Sequence, residues 1–329
     1  MGLGSVRQTV LVTGAAGFLG SHLVDRLLLE GYEVVGLDNL MTGSLSNLEA
    51  AGRDVHFHLE IGDVREALPA YAEIIFNLAC PASPVHYQQD PYATLTTSVL
   101  GAMRLVEHAR LRRCRIVHAS TSEVYGDPLE HPQREEYWGH VNPIGERACY
   151  DEGKRVAETF LMDAHRAHHA DVRILRIFNT YGPRMAFNDG RVVSNFILQA
   201  LTHRPITLYG DGAQTRSFCY VSDLVDGLVE AGRSDGFPCP VNVGNPSELS
   251  MLGLATAVMR LAASEVELVR KPLPADDPRQ RCPDITRARA LLGFEPKVGL
   301  DEGLAATIEN FRLRLDARAQ VASMRPKVP

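Results

Sequence analysis

The sequence has no stretch of about 18 consecutive apolar residues, the length a membrane-spanning helix requires. Its six cysteines, Cys80, Cys114, Cys149, Cys219, Cys239 and Cys282, show no C-x-x-C and no paired spacing. That excludes a disulfide framework and argues against a zinc site; the thiols read as reduced. A basic excess is also missing. Lys plus Arg number 34 against 40 Asp plus Glu, a formal charge of −6, so nucleic acid and anionic membranes find no basic face. Repeats, low-complexity tracts and long linkers are absent, and Trp138 is the single tryptophan, read as core. The opening MGLGSVRQTVLVTG runs into a strand without the layout of a signal peptide, and the expectation is a cytoplasmic protein.

What is present is a large apolar fraction, 45% of 329 residues, enough for a core that needs no staples. At roughly 150 residues per domain, two lobes are predicted. The first third alternates apolar strands with helical patterns: TVLVTG (9–14), then GSHLVDRLLLEG (20–31) closed by glycine, then EVVGLDN (33–39). VHFHLEIGDV, EIIFNLAC, RIVHAST and RILRIFNTYGP continue the strands; 93–111 and 154–168 have helical spacing. Continuous apolar strands separated by helices predict an α/β fold with a Rossmann-like, doubly wound parallel sheet covered on both faces. Beyond Pro183 the alternation weakens. VVSNFILQAL and LATAVMRLAA read as helices, and ITLYGDG and RSFCYV as strands joined by a glycine-rich turn. PVNVGN reads as a strand returning to the first lobe, and 319–329 as a frayed tail. The expected division is 1–183 plus about 217–246 for a dinucleotide lobe, and about 184–216 plus 247–329 for a smaller α/β substrate lobe.

Gly14, Gly17 and Gly20 lie three apart in TGAAGFLG, after a strand and at a helix start. There the backbone N–H groups and the helix N-terminus can hold a pyrophosphate, which any larger side chain would obstruct. Asp38 ends the next strand 18 residues after Gly20. A carboxylate at that point accepts hydrogen bonds from a ribose 2′-OH and repels a 2′-phosphate, which favours NAD over NADP. Asp63 either caps the adenine edge or is an ordinary turn aspartate. Tyr150 and Lys154 in YDEGK share one helix face. An ammonium beside the phenol is expected to lower its pKa from ~10 and fit it as a base. Thr121, Ser122 and Glu123 close the strand RIVHAST, and strand carboxyl ends are where open α/β sheets place ligands.

These strings together resemble the extended short-chain dehydrogenase/reductases that act on nucleotide sugars, and above all the UDP-glucuronate decarboxylases. NLACPASPVHYQ, ASTSEVYGDPLEHPQ, YWGHVNPIGERACYDEGKR, RIFNTYGPRM, DGRVVSNFILQAL, QTRSFCYVSDLV, GNPSE and DDPRQRCPDI carry the resemblance, which covers about residues 8–314. Ser98 departs from it, standing where the family usually has asparagine. The resemblance implies NAD as cofactor, with Phe18, Leu19, Asn39, Val64, Leu78 and Thr97 completing its site. It also implies oxidation of UDP-glucuronate at C4, loss of CO2 from the resulting β-keto acid, and re-reduction to UDP-xylose.

In that scheme Tyr150 takes the O4 proton, Thr121 steadies the oxygen and Lys154 binds the nicotinamide ribose. Glu123 is the acid/base helper near C5. Arg216 holds the carboxylate, unless it pairs with Asp211 and only fixes its loop. Ser122, Asn179, Arg191, Asn195, Tyr209, Gln214 and Arg281 approach the substrate; for Arg191 and Arg281, surface salt bridges are the other reading. His86 and Tyr87 either close over the sugar or pack. A homodimer is expected through the helices 93–111 and 154–168, whose Leu100, Met103, Val156 and Leu161 give more than one apolar stripe. The rivals are a nucleotide-sugar 4,6-dehydratase, release of a 4-keto pentose, and a non-catalytic NAD-dependent sensor or scaffold. The dehydratase needs an acid where Ser122 stands, and serine is a poor one.

Overall fold

The computed structural model describes residues 7–66, 68–69, 71–236, 239–272 and 280–324. Part of DDPRQRCPDI (276–279) and the end of the tail (325–329) lie outside the described residues.

The first elements are β1 (Thr9–Thr13), α1 (Phe18–Leu29), β2 (Glu33–Asp38), β3 (Phe57–Ile61) and β4 (Ile74–Asn77). A one-turn helix α2 (Pro84–Tyr87) precedes α3 (Pro91–Arg112), β5 (Arg115–Thr121), α4 (Ala148–His168) and β6 (Val172–Ile177). Then follow β7 (Thr180–Tyr181), α5 (Val192–Leu201), β8 (Ile206–Tyr209), β9 (Thr215–Ser217), β10 (Cys219–Tyr220) and α6 (Val221–Arg233). β11 (Pro240–Val243), β12 (Glu248–Ser250), α7 (Met251–Ala262) and β13 (Leu268–Lys271) come next. The described chain ends with β14 (Gln280–Arg281), α8 (Thr286–Leu292) and α9 (Leu300–Met324).

Seven strands form one parallel sheet in the order β11-β6-β5-β4-β1-β2-β3. The inner strands β1, β2, β4, β5 and β6 feed both faces. Val10 and Val12 of β1 join a core with Leu23 and Leu27 of α1 and Leu224 and Leu228 of α6. Leu11, between them, points into the opposite core with Leu105 of α3, Ile116 and Leu161 of α4. Burial on both sides is why these strands read as unbroken apolar runs. The chain proceeds from β1 outward to β3, then restarts at β4 on the other side of β1. The carboxyl ends of β1 and β4 therefore diverge and open a crevice, the usual ligand position in such sheets.

The second lobe is built from α5, α7 and α9 around Phe196, Ile197, Leu254, Val258, Ile308 and Phe311. β9 lies between antiparallel β12 and parallel β14, whereas β8 pairs with β13, so ITLY and RSF stand in different sheets. Gly210 and Gly212, both at positive φ, turn the chain between them. β11 returns beside β6 as expected. Ile285, Ala288, Leu292 and Phe294 also pack in the first lobe's core, so the segment 247–329 contributes to both lobes.

Two expectations are corrected. The tail is helical as far as Met324, because Ile308 and Phe311 anchor α9 and the sequence DARAQVA beyond them consists mostly of good helix formers. Trp138 is not core: it is 89% exposed in the loop between β5 and α4, which runs over the surface.

Candidate active site

Three consecutive residues at the end of β5 hold α4 in place. The Lys154 Nζ donates to the Ala119 carbonyl at 2.7 Å. The Ser120 hydroxyl donates to Glu158 Oε1 at 2.5 Å. Tyr150 is hydrogen-bonded to Thr121. Tyr150, Lys154 and Glu158 recur every four residues, so one helix face meets one strand end. Arg176 of β6 locks that face by pairing with Glu158, Nη2 to Oε2 at 2.7 Å. Gly153 allows the approach of α3, since a Cβ there would lie 3.2 Å from that of Ser98. Ser98 itself is buried against Cys80, Oγ to Sγ 3.2 Å, behind the site.

The Tyr150 ring is buried and stacks on Tyr87 at 5.2 Å with the planes 3° apart. Tyr87 packs on Tyr150 and, like His86, which Ser83 holds at 2.8 Å, also lines the cavity of the site. The expected lowering of the phenol does not appear. Burial pushes Tyr150 far up, and the Thr121 bond and Arg191 only partly oppose it. Lys154 is itself pushed down by burial, with its ammonium turned to a backbone carbonyl.

Glu123 is held by two arginines. Arg147 Nη2 donates to its Oε2 at 2.5 Å, Arg281 Nη2 donates to Oε2 at 2.8 Å, and Arg281 Nη1 bonds Oε1. Burial raises the carboxyl, but the two guanidinium groups outweigh it and hold it down at about 2. Asp151, next to Tyr150, is the opposite case. Its Oδ1 is buried without a hydrogen-bond partner among the described residues, and burial together with the Glu123 charge pushes it up to about 7. Neither Arg147 nor Asp151 stood out in the sequence; their proximity to Tyr150 in GERACYDEGK was the only available signal.

At the other end lies the glycine turn. A Cβ on Gly20 would come 2.0 Å from the Gly14 carbonyl oxygen, and one on Gly14, at φ +72°, would meet Leu78 and Ala79 at 3.0 Å. The turn thus binds α1 tightly to β1 and β4. No side chain caps α1 at Gly17, which leaves its first amides for a ligand. Asp38 accepts from Ala16 N at 2.9 Å and Leu40 N at 2.7 Å, and burial raises its carboxyl despite those bonds. Asn39 donates to Asp63 at 3.1 Å. Arg65 is the main reason the Asp63 carboxyl lies at about 2. These residues fit a dinucleotide: small where phosphate must approach, and acidic where a ribose ends.

One cavity of about 860 Å³ joins the two ends. Every residue singled out in the sequence as catalytic, cofactor-binding or substrate-binding lines it: Gly14, Gly17, Phe18, Leu19, Gly20, Asp38, Asn39, Asp63, Val64, Leu78 and Thr97, then Thr121, Ser122, Glu123, Tyr150 and Lys154. Asn179, Arg191, Asn195, Tyr209, Gln214, Arg216 and Arg281 line its second-lobe side. Arg191 pairs with Asp189 at 2.5 Å while facing the cavity. Asn195 donates to Gly190 O, Gln214 to Tyr209 O and Arg216 to Thr215 O. Asp211 instead caps its own turn through Ala213 N. Arg184, Lys271 and Arg314 add positive charge that sequence reading missed.

The profile of the NAD dependent epimerase/dehydratase family matches residues 10–244. The chain is 52% identical over 315 residues to UDP-glucuronic acid decarboxylase 1 of Arabidopsis thaliana, covering 96% of this chain and 72% of that protein. Against UDP-glucuronic acid decarboxylase 1 of Xenopus tropicalis it is 51% identical, covering 95% and 74%. Among solved structures, UDP-glucuronic acid 4-epimerase from Bacillus cereus in complex with UDP-glucuronic acid and NAD superposes with a TM-score of 0.84 at 26% identity, over 93% of this chain and 100% of that one. DesIV, a dTDP-glucose 4,6-dehydratase from Streptomyces venezuelae with NAD and TYD bound, gives 0.86 at 26%, over 94% and 98%.

Proposed function

The chain belongs to the NAD-dependent epimerase/dehydratase family, among its UDP-glucuronic acid decarboxylases, and from that premise we propose how its residues convert UDP-glucuronate to UDP-xylose. The observation that carries the reading is a single cavity. It places Thr121, Tyr150 and Lys154 beside the arginine-held Glu123, between a dinucleotide turn and a basic second-lobe wall.

The glycine turn, Asp38 and Lys154 would hold NAD, which when bound would supply a reversible hydride acceptor facing C4 and, in its oxidised form, a positive charge. Tyr150 removes the O4 proton, with Thr121 bonded to the same oxygen. Lys154 keeps its ammonium within the site and steadies the phenolate once it forms. The resulting ketone is β to the C6 carboxylate, so CO2 leaves and an enolate remains. Arg216 and Arg281, which are register partners in β9 and β14, both line the cavity wall that receives this charge. The substrate carboxylate competes with Glu123 for Arg281. As Arg281 turns to the substrate, the Glu123 carboxyl rises from its low resting value, takes a proton from solvent and passes it to C5, directly or through water. At rest Glu123 is a carboxylate neutralised by its two arginines; losing Arg281 to the substrate is what lets it carry a proton.

The dimer belongs to this reading. Leu100 and Met103 of α3 and Val156 of α4 are 44%, 41% and 44% exposed, and Tyr92 and Leu95 extend the stripe; Leu161 is spent inside the core. Exposed apolar residues on two adjacent helices support pairing with a second copy. Six free cysteines support a reducing, cytoplasmic compartment. Incubation with UDP-glucuronate and NAD⁺, following CO2 and absorbance at 340 nm, tests the activity. Release of CO2 without lasting NADH is expected. Accumulating NADH would mean the keto-pentose is released instead, and no CO2 would reject the decarboxylase.

A further inference from the structure

Outside the cavity, three residues far apart in sequence converge, two of them exposed and the third, Cys282, buried just beneath. His131 lies in the loop between β5 and α4, Glu248 opens β12, and Cys282 follows β14. An imidazole nitrogen, a carboxylate oxygen and the Cys282 Sγ all lie within 4.8 Å of one another. We propose that His131, Glu248 and Cys282 form a binding site for a thiophilic divalent cation such as Zn²⁺. The sequence pointed away from zinc because no two cysteines are suitably spaced; this set needs only one.

Ligand chemistry selects the cation. A thiolate, an imidazole and a carboxylate suit Zn²⁺, Co²⁺ or Cd²⁺ and not Mg²⁺ or Ca²⁺, which take oxygen ligands. Around tetrahedral zinc, with bonds of about 2.0–2.3 Å, neighbouring ligand atoms sit about 3.3–3.7 Å apart. His131 Nε2 and Glu248 Oε2 are 2.9 Å apart, so they need only open slightly, while the sulfur closes in. Three protein ligands leave a fourth position for water, and both His131 and Glu248 face solvent, so the ion has a path in.

The backbones are already fixed. Buried Gln133 donates its N–H to the Cys282 carbonyl at 2.9 Å, and Cys282 N donates to Gln133 Oε1 at 2.8 Å. That ties the loop bearing His131 to the segment bearing Cys282. Glu248 is steadied by the Thr215 hydroxyl, which donates to Oε1 at 2.7 Å, an outer-shell bond of the kind metal ligands use. Among the described residues, the Cys282 thiol bonds to carbonyl oxygens alone, at Pro246 and Pro283. Its pKa is pushed up to about 11 by burial and by Glu248 and Asp284. Binding replaces the thiol proton with the cation and releases it to solvent; no electrons are exchanged.

The position has a consequence for turnover, which rests on the function proposed above, whereas binding does not. Cys282 directly follows Arg281, the residue that holds Glu123. Glu248 begins the strand paired with Ser217 and, one residue on, with Arg216. A cation joining Glu248 to Cys282 clamps β12 and β14 on either side of β9, restraining the arginine that must move.

The test is a titration of the full chain with Co²⁺. Thiolate-to-cobalt charge-transfer absorption should saturate at one equivalent and disappear on adding Zn²⁺. Cys282→Ser should abolish the absorption. His131→Ala, on the exposed side and so neutral to folding, should weaken affinity at least tenfold. Zn²⁺ at one equivalent should slow CO2 release by wild type and leave Cys282→Ser unaffected. Absorption that persists in Cys282→Ser, affinity unchanged in His131→Ala, or no absorption in wild type overturns the site. Binding as expected with no effect on CO2 release overturns only the clamp. Binding in a chain that releases no CO2 at all leaves the site standing and rejects the activity.

Discussion

Arg281 reaches from the second lobe to Glu123, just past the end of β5, and bonds both oxygens of its carboxylate. With Arg147 on the same group, a buried negative charge is compensated by two positive ones. Removing one partner of such a cluster leaves an uncompensated charge, which costs more than the pair's net worth. Arg281→Ala is therefore expected to lower decarboxylation by about 10²–10³-fold. It should also move the acid limb of the pH–rate profile upward, because Glu123 loses the larger of its two guanidinium influences. NAD titrations should be unchanged. An acid limb that stays in place separates Arg281 from Glu123 in function.

Arg216→Ala should reduce decarboxylation more than nucleotide binding, by about 2–4 kcal/mol of transition-state stabilisation. UDP-glucuronate and UDP-glucose as competing ligands decide the matter. If the variant keeps both its turnover and its preference for the acid, Arg216 serves only to shape β9.

Tyr150→Phe should cut turnover at least 100-fold while UDP and NAD still bind, since only the phenolic oxygen is removed and a general base contributes about 10²–10⁴-fold. The ring's stack on Tyr87 survives the change, so melting should barely move. More than about a hundredth of wild-type turnover removes Tyr150 from the role of base.

Asp38→Ala should weaken NAD and relax the preference over NADP. The loss removes both the acceptor for a 2′-OH and the repulsion of a 2′-phosphate. The Ala16 and Leu40 amides also lose their acceptor, so some stability goes with it. An unchanged NAD/NADP ratio in binding titrations would assign the choice to another residue.

Asp151 and Glu123 should shape stability against pH in opposite senses. Asp151 is raised from 3.8 to about 7, so its contribution is complete below pH 3.8 and is lost as pH climbs through 7. Glu123 is lowered from 4.5 to about 2, so its contribution is present above 4.5 and lost as pH falls through 2. Asp151→Asn should therefore flatten the stability curve between pH 4 and 7 and gain up to about 4 kcal/mol at pH 8. Denaturant unfolding at pH 5 and pH 8 measures it; an equal effect at both values would show that Asp151 does not titrate in that window.

Substituting Leu100 and Met103 together by Asp should leave the fold intact and yield a monomer. Sedimentation of wild type showing a monomer at micromolar concentration would reject the dimer.

The local chemistry of this chain was legible before any coordinates. Glycines at 14, 17 and 20, an aspartate closing the second strand and Tyr150 four residues before Lys154 are each set by short-range rules: turn geometry, strand alternation and helix periodicity. So was the sheet, because strands buried on both faces must be apolar throughout. Electrostatics and long-range packing were not legible, since both depend on distances that sequence separation hides. Glu123 and Arg281 are 158 residues apart yet bonded, and their pairing sets Glu123 near 2 where the sequence offered only a free acid/base group. Burial above all, with Cys80 and Glu123 adding to it, reversed the expected fall of the Tyr150 phenol, because desolvation depends on everything packed around the ring and not on the lysine one turn away. Trp138 went the same way: its composition argued for the core, and only the path of the loop put it in water.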